Sequence, residues 1–342
     1  MLDLDKKGLE QVLQAMDEPL YRASQIMKWI WGKNCNDFSS MTNVSKKLRL
    51  RLDQEYTIEP PGVARAARSS DGTIKLLLLL KDGKSVESVL IPAGDHYTQC
   101  LSTQVGCALG CQFCSTGTMG FERQMSAGEI AGQVLAARRY LLGSGNLMPV
   151  NNLVLMGMGE PLLNWKQVHQ ALQIFRCPDA LNFSRRKITL STAGVSGGLN
   201  KLGQSQLCYL AVSLHAPDQT TRQAIMPGAS AHHLDNLIKD METYPLAPRE
   251  RITIEYMLLR GVNDSLRQAG ELCKILSKVK CKINLLRFNP GVDSSFQSST
   301  EESVEAFQDF LRSKGFTVML RKSMGADIQA ACGQLKADVI RS

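Results

Sequence analysis

Three closely spaced cysteines, Cys107, Cys111 and Cys114, are the residues of this chain best suited to chemistry. Their spacing, C-x3-C-x2-C, brings three thiolates into one loop. A [4Fe-4S] cluster usually takes four cysteine ligands, so three leave one iron open to a small molecule. A structural zinc site takes four tetrahedral ligands, but no second cysteine knuckle follows here. Taken alone, the trio is compatible with a cluster or with zinc.

A carboxylate stands on a glycine-rich turn further along the chain, in Met156-Gly-Met-Gly-Glu-Pro161. Glycines let the backbone approach a ligand closely, and Glu160 can accept hydrogen bonds from an ammonium group. An open iron beside this turn favours S-adenosylmethionine, whose amino and carboxylate groups can chelate iron and whose sulfonium can be split by one-electron reduction. Further polar residues that could bind it, or could merely cap helices and close turns, are Ser191, Ser213, His215 and Asn289.

The elements that must position these residues alternate between apolar β-rich runs and stretches of helical periodicity. The predicted strands are Gln99–Thr103, Asn152–Gly157, Lys187–Ser191, Cys208–Leu214, Arg251–Leu258 and Lys282–Arg287. The predicted helices are Ala127–Leu142, Trp165–Arg176, Gly197–Leu202, Leu234–Tyr244, Ser265–Val279 and Glu301–Lys314. Six strand-then-helix units predict an α/β fold with a parallel sheet, because parallel neighbours need crossover connections. Ligands of such sheets bind at the carboxyl ends of the strands, which is where the polar motifs fall.

Two smaller units precede this array. Residues 1–57 are predicted to form a basic helical domain, and residues 58–95 a linker that contains a β-hairpin. The hairpin is indicated by β-rich runs at Thr73–Leu80 and Ser85–Ile91 on either side of Asp82-Gly83. Residues 96–342 would then form the catalytic domain.

Composition narrows the class of protein further. The chain has 342 residues, a formal net charge of +8 and ten cysteines, with a pI of about 9.0. A basic balance favours a polyanionic partner such as nucleic acid. The cysteine content, the lack of an N-terminal apolar region and the lack of an apolar run near ~20 residues predict a reducing cytoplasmic location without a membrane span.

Motifs along most of the chain resemble the radical S-adenosylmethionine RNA adenine-C2 methyltransferases, the dual-specificity 23S rRNA/tRNA family. The resemblance covers about residue 85 to the C-terminus. The matching segments are the cysteine trio with Ser115-Thr-Gly117, Gly120-Phe-Glu-Arg123, Gly157-Met-Gly-Glu-Pro-Leu-Leu-Asn164, Leu190-Ser-Thr192, Ser213-Leu-His-Ala-Pro217, Ile252-Thr-Ile-Glu-Tyr256, Gly261-Val-Asn-Asp264, Lys282-Ile-Asn-Leu285 and Asp327-Ile-Gln-Ala-Ala-Cys-Gly-Gln-Leu335.

The resemblance implies a partial (β/α)6 TIM-like radical SAM barrel, a [4Fe-4S] cluster and methylation of adenosine 2503 in 23S rRNA and of adenosine 37 in tRNA. It implies that Cys332 becomes an S-methylcysteine intermediate, that Glu87 accepts the C2 proton and that Cys100 forms a transient disulfide with Cys332. Two S-adenosylmethionine molecules would be consumed in each turnover. The cluster ligands would be the trio, and the cofactor contacts would be Gly159, Glu160, Ser191, Ser213, Leu214, His215 and Asn289. The resemblance also suggests a flavodoxin-like or other low-potential electron donor and a monomer.

Two segments depart from the family pattern, Arg123-Gln-Met125 and Met226-Pro-Gly-Ala229. We expect both to lie away from the cluster and cofactor motifs, in loops that could meet RNA. Two other functions stay open at this point. One is the sister family that methylates adenine at C8 and confers antibiotic resistance, and the other is a non-catalytic zinc-bearing RNA-binding module.

Overall fold

The structure is a computed structural model that describes residues 1–290 and 295–337. Its strands are β1 Gly62–Arg68, β2 Ile74–Leu79, β3 Ser85–Ala93, β4 His96–Cys100, β5 Gln104–Gly106, β6 Phe121–Gln124, β7 Val150–Leu155, β8 Ile188–Thr192, β9 Tyr209–Ser213, β10 Ile252–Leu258, β11 Cys281–Arg287 and β12 Val318–Arg321. Its α-helices are α1 Lys6–Ala15, α2 Arg22–Met27, α3 Lys46–Glu55, α4 Ser115–Thr118, α5 Ala127–Gly143, α6 Trp165–Arg176, α7 Gly198–Ser205, α8 Gln219–Ile225, α9 Leu234–Glu242, α10 Leu266–Ile275 and α11 Glu301–Ser313.

One sheet runs through the molecule in the order β1-β2-β3-β4-β7-β8-β9-β10-β11-β12. The first four strands pair antiparallel, and from β4 to β12 every neighbouring pair is parallel. Strands β5 and β6 form a separate two-stranded ribbon. The parallel strands carry their motif residues at one edge, because the crossover helices return each strand in the same direction. The predicted α/β fold with its partial barrel is confirmed.

The predicted hairpin is present as β2 and β3, and all six predicted helices form. Two strand predictions need correction. The first parallel strand is His96–Cys100 rather than Gln99–Thr103, because the chain beyond Cys100 leaves the sheet and leads into the β5–β6 ribbon. A seventh parallel strand, β12, was missed, since it is a short, half-buried edge strand without a long apolar run.

The helical N-terminal unit packs on the barrel through α5. A capping box starts this helix, with Ser126 and Glu129 each bonding the other's backbone N–H. The Gly128 N–H then donates to Asp3 Oδ1 at 2.8 Å, and Arg138 Nη1 donates to the carbonyl of Trp31 at 3.2 Å. Apolar side chains of the unit and of the barrel belong to one continuous core.

In the described part of the chain, no helix combines the length and apolarity needed to cross a lipid bilayer.

Candidate active site

The carboxyl ends of the parallel strands surround a cavity of about 150 Å³. Nine of the predicted site residues line it, together with several residues that were not predicted. The predicted ones are Cys107, Cys111, Cys114, Gly159, Glu160, Ser191, Ser213, His215 and Cys332. Residues from distant parts of the sequence therefore meet at the edge of the sheet where parallel strands present their ligands.

The cysteine loop is held by backbone hydrogen bonds to the last residue of α8 and to the segment that follows it. Gln112 N donates to the carbonyl of Ile225 and Gly228 N to the carbonyl of Leu109, both at 2.9 Å. Cys111 belongs to a small apolar cluster with Leu109, Ile225 and others. Burial raises the pKa of Cys107 to about 11 and that of Cys111 well above its ordinary value. These thiols therefore become thiolate ligands when a metal displaces their protons.

One expectation about the departures from the family pattern is wrong. Met226 lines the cavity with the cysteines, and a Cβ on Gly228 would meet the Leu109 carbonyl oxygen at 2.6 Å. The segment 226–229 thus supports the cysteine loop instead of lying away from it. In the other departure, Arg123 bridges Asp82 at 2.6 Å and Glu129 at 2.8 Å, which links the hairpin turn to α5.

The donor set and its surroundings fit an iron–sulfur cluster with a small ligand. Among the described residues, no three His, Cys, Asp or Glu side chains lie close enough to ligate one metal ion. The three cysteines at the wall of one cavity are the donor set of a cluster that leaves one iron open to a small ligand. Beside it, Gly159 has φ +97°, and a Cβ there would meet Gln104 Cβ at 2.4 Å, so only glycine leaves this turn its shape.

Glu160 is buried, and both of its carboxylate oxygens accept backbone hydrogen bonds. Ala193 N donates to Oε2 at 2.8 Å and Leu162 N to Oε1 at 3.0 Å. Burial raises the pKa of Glu160, while these hydrogen bonds and the charge of Arg222 oppose the rise. The carboxylate is thus fixed at the cavity wall, with lone pairs left for an ammonium group.

His215 is held as a neutral imidazole with a defined tautomer. Its Nδ1 accepts the backbone N–H of Met257 at 3.0 Å, and its carbonyl accepts Asn263 Nδ2 at 2.7 Å. Burial, with a smaller contribution from Arg222, lowers the pKa of His215 to about 3. Since Nδ1 is an acceptor, Nε2 carries the proton, and His215 offers a donor at the cavity wall.

Arg222 is a fully buried cation beneath this wall, and it was not predicted. Its guanidinium donates to three backbone carbonyls, those of Ala229 at 2.8 Å, His232 at 3.3 Å and Ala193. Because the Ala193 N–H binds Glu160, Arg222 links the segment that supports the cysteines to the glycine-rich turn. No sequence signal marked Arg222, because its burial and its carbonyl partners are decided by the completed fold.

We expect Arg222→Met to lower the free energy of unfolding by about 3 kcal/mol, because three backbone carbonyls, two of them in buried hydrogen bonds, lose their donor. Arg176→Met is the matched control, since the Arg176 guanidinium donates to one carbonyl, that of Phe183, at 2.8 Å. The control should lose about 1 kcal/mol. Urea unfolding followed by circular dichroism measures both free energies. Equal decreases for the two variants would contradict the role of Arg222 in linking the segment that supports the cysteines to the glycine-rich turn.

Cys332 and Cys100 differ in their position relative to the cavity. Cys332 is an exposed residue that lines it, whereas Cys100 is buried at the end of β4 and is not a lining residue. Burial, and to a smaller extent the Cys332 thiol, raises the pKa of Cys100 to about 12. Burial of the sulfur also raises the pKa of Cys332, against the charge of Arg321. The two thiols are therefore within electrostatic reach of each other.

Besides Cys100, three predicted residues do not line this cavity. Leu214 is buried in the core behind it, and Asn289 Nδ2 donates to Ser323 Oγ at 2.9 Å. Glu87 lines a second cavity of about 310 Å³, where its carboxylate pairs with Lys75 at 3.0 Å and accepts the Lys336 N–H at 2.9 Å.

Two charged residues in the first cavity were missed. Glu255 is buried on β10, with Oε1 bonded to Asn284 Nδ2 at 3.0 Å and no partner for Oε2 among the described residues. Arg321 enters from β12, the strand that was also missed. A charge inside an otherwise apolar strand was the signal for Glu255, but nothing marked Arg321 before its strand was known.

The parallel sheet and the cysteine trio at its carboxyl edge are typical of radical SAM enzymes, and family models match the same class. Residues 101–273 match the Radical SAM superfamily, so the protein is a radical SAM enzyme that uses a [4Fe-4S] cluster and S-adenosylmethionine. Residues 1–58 match the ribosomal RNA large subunit methyltransferase N-terminal domain.

Relatives with known names narrow the class. The chain is 52% identical to the dual-specificity RNA methyltransferase RlmN of Solidesulfovibrio magneticus, over 99% of this chain and 96% of that protein. It is 50% identical to the RlmN of Nitratidesulfovibrio vulgaris, over 100% of this chain and 96% of that one. A crystal structure of a radical SAM methyltransferase from Sphaerobacter thermophilus superposes with a TM-score of 0.91 at 38% identity, over 99% of both chains. The chain belongs to the RlmN family of dual-specificity RNA methyltransferases.

Proposed function

We propose that the chain methylates C2 of adenosine in RNA, at adenosine 2503 of 23S rRNA and at adenosine 37 of tRNA. The observation that carries this proposal is the exposed thiol of Cys332 in the same cavity as the cysteine trio. A zinc-bearing binding module would have no use for a reactive thiol beside its metal. Membership of a methyltransferase family also argues against that alternative.

Adenine C2 lies between two ring nitrogens and is electron-poor, so it cannot attack a sulfonium methyl group as a nucleophile. When bound by Cys107, Cys111, Cys114 and the wall around Glu160, the cluster and two molecules of S-adenosylmethionine supply the methyl group and one-electron chemistry. Cys332 carries the methyl carbon and becomes joined through it to C2.

Two residues outside the first cavity, Glu87 and Cys100, then release the methylated RNA from Cys332. Glu87 takes the C2 proton. The thiolate of Cys100 attacks the Cys332 sulfur, so an S–S bond forms and the C–S bond breaks. The electron pair of the C–S bond stays on the carbon, which takes up a proton as the new methyl group. An external thiol reduces the disulfide before the next turnover.

The basic N-terminal unit supports an RNA substrate. Lys28, Lys33, Lys46 and Lys47 are exposed on its surface, where they can contact phosphates. Phosphate contacts supply affinity without sequence, so specificity would come from RNA shape and from an adenine that leaves its stack. We assign residues 1–57 to this domain, 58–95 to the linker and 96–342 to the catalytic domain. A cytoplasmic monomer that receives electrons from a flavodoxin-like donor completes the proposal.

The test is an anaerobic assay of the reconstituted protein with naked 23S rRNA and with tRNA as separate substrates. We expect about four irons per chain and 2-methyladenosine in both RNAs by nucleoside mass spectrometry. Cys273→Ala, at a half-buried cysteine on α10, is the control that should keep full activity. 8-Methyladenosine as the product would replace this proposal with the sister family, and a colourless zinc protein would refute it.

A further prediction concerns Glu160. Glu160→Gln should weaken S-adenosylmethionine binding at least about tenfold, because an amide places a donor against the Ala193 or Leu162 N–H and removes the charge that faces an ammonium group. Isothermal titration of the reconstituted protein measures the affinity. Glu250→Gln is the matched control, since Glu250 is also buried but pairs with Arg185 outside the cavity. Equal affinities of the two variants would contradict the prediction.

A further inference from the structure

The segment that carries Cys332 is fastened to the hairpin sheet at both of its ends. We call residues 325–337 the Cys332 strap. At its start, Gly325 N donates to Asp71 Oδ2 at 2.7 Å, and Ser69 Oγ donates to Asp327 Oδ1 at 2.6 Å. Both partners belong to the β1–β2 turn. The strap therefore begins on the sheet that also holds Glu87.

At the other end, the strap is tied to the cysteine loop and to Glu87. Ser115 N donates to the carbonyl of Gly333 at 2.7 Å, and Thr116 Oγ1 to that of Leu335 at 2.6 Å. The Lys336 N–H donates to Glu87 Oε2 at 2.9 Å. Hydrogen bonds thus hold the strap on both sides of Cys332, to the β1–β2 turn before it and to Glu87, the proposed base, after it.

The ammonium group of Lys75 contacts both Glu87 and the strap. Lys75 Nζ, on β2, lies 3.0 Å from Glu87 Oε1 and 3.3 Å from the carbonyl oxygen of Gln329. The Lys75 side chain is 13% exposed and that of Glu87 is 2% exposed. A charge pair so far removed from water holds its two groups in one geometry, so Lys75 helps to fix where the Glu87 carboxylate points.

We propose that Lys75 is a positioning residue that aims the Glu87 carboxylate while it fixes the strap that carries Cys332. This inference rests on the proposed function for the role of Glu87, although the contacts of the strap stand apart from it. Lysine suits the task because its three N–H donors can serve Glu87 and Gln329 at once. Without Lys75, the Glu87 carboxylate loses its contact at Oε1 and the strap loses its contact at Gln329, so the proposed base and Cys332 are no longer held in one geometry.

The test compares Lys75→Met with Lys75→Arg and with Lys81→Met. Methionine keeps the length of the side chain without the charge, and arginine restores a cation. Lys81 is the matched control, because it follows the same strand and pairs with Glu59 at 2.8 Å in an exposed position. The first readout is the covalent RNA–protein adduct on a denaturing gel beside the yield of free 2-methyladenosine. The second is hydrogen exchange of strap amides in the full chain, which needs no activity.

For Lys75→Met, we expect free product to fall about a hundredfold while the adduct accumulates and Cys332 is still methylated by intact-protein mass. Strap amides, that of Lys336 above all, should exchange at least about tenfold faster. Lys75→Arg should recover most of both properties, and Lys81→Met should match the wild type.

Product release at the wild-type rate by Lys75→Met, or joint loss of adduct and product, would overturn the role of Lys75 toward Glu87. Unchanged exchange would overturn its role toward the strap. If the wild-type chain itself made no 2-methyladenosine, the proposed function would fail, and with it the base-positioning half of the inference. The exchange measurement would then still decide whether Lys75 holds the strap.

Discussion

Cys332→Ala should abolish RNA methylation, lowering product by at least about a thousandfold, while some S-adenosylmethionine is still cleaved. The physical reason is that the cavity keeps the cysteine trio and Glu160 but loses the sulfur that accepts the methyl group. Liquid chromatography of 5′-deoxyadenosine and methionine, beside mass spectrometry of the RNA nucleosides, separates cofactor cleavage from methyl transfer.

The control for this variant is Cys273→Ala, which removes a cysteine of the same size from α10, outside the cavity. It should cleave the cofactor and methylate RNA as the wild type does. Iron content should be equal in all three proteins, because Cys332 is not a proposed cluster ligand. Wild-type methylation by Cys332→Ala would refute the role of Cys332, whatever the result for cofactor cleavage.

Cys100→Ala should trap the RNA on the protein, with free product lowered about a hundredfold. Cys100 is the buried thiol within electrostatic reach of Cys332, and burial raises its pKa to about 12. Without this thiol, the bond between the methyl carbon and the Cys332 sulfur is not exchanged for a disulfide. Denaturing gels of labelled RNA should show a band at the mass of the adduct.

Cys208→Ala is the matched control for Cys100→Ala. Cys208 is equally buried, and burial raises its pKa to about 12 as well, but it does not line the cavity. Both variants should therefore lose stability through the removal of a buried sulfur. Only Cys100→Ala should accumulate the trapped RNA–protein adduct. Normal product release by Cys100→Ala would show that another group resolves the intermediate.

Much of the fold could be predicted because its signals are local. The hairpin follows from β-rich runs about Asp82-Gly83, and the long helices follow from apolar periodicity and caps such as Ser126. The strand that was missed, β12, is short and half-buried, so neither its length nor its pattern stood out. Its absence from the prediction also hid Arg321, which enters the cavity from its end.

The site was predictable where function depends on spacing within one loop or on position after a strand. Spacing within one loop identified the cysteine trio, and position after a strand identified Glu160, Ser191, Ser213 and His215. The structure places all of them around one cavity. The contacts of residues 226–229 were misjudged, because a loop's partner in space cannot be inferred from its distance in sequence. The cysteine loop and this segment meet through Leu109 and Gly228.

By itself, the sequence determined the chemical groups: three thiolates with one cluster corner open, a parallel α/β frame and a basic partner surface. Such properties depend on residue type and on neighbours a few positions away. Tertiary structure alone decided how Lys75 and Lys336 meet Glu87, since the Lys336 hydrogen bond spans 249 positions. It also decided that Arg222 supports the site. Buried charges must find donors and acceptors wherever the completed fold offers them, and no local pattern specifies those partners.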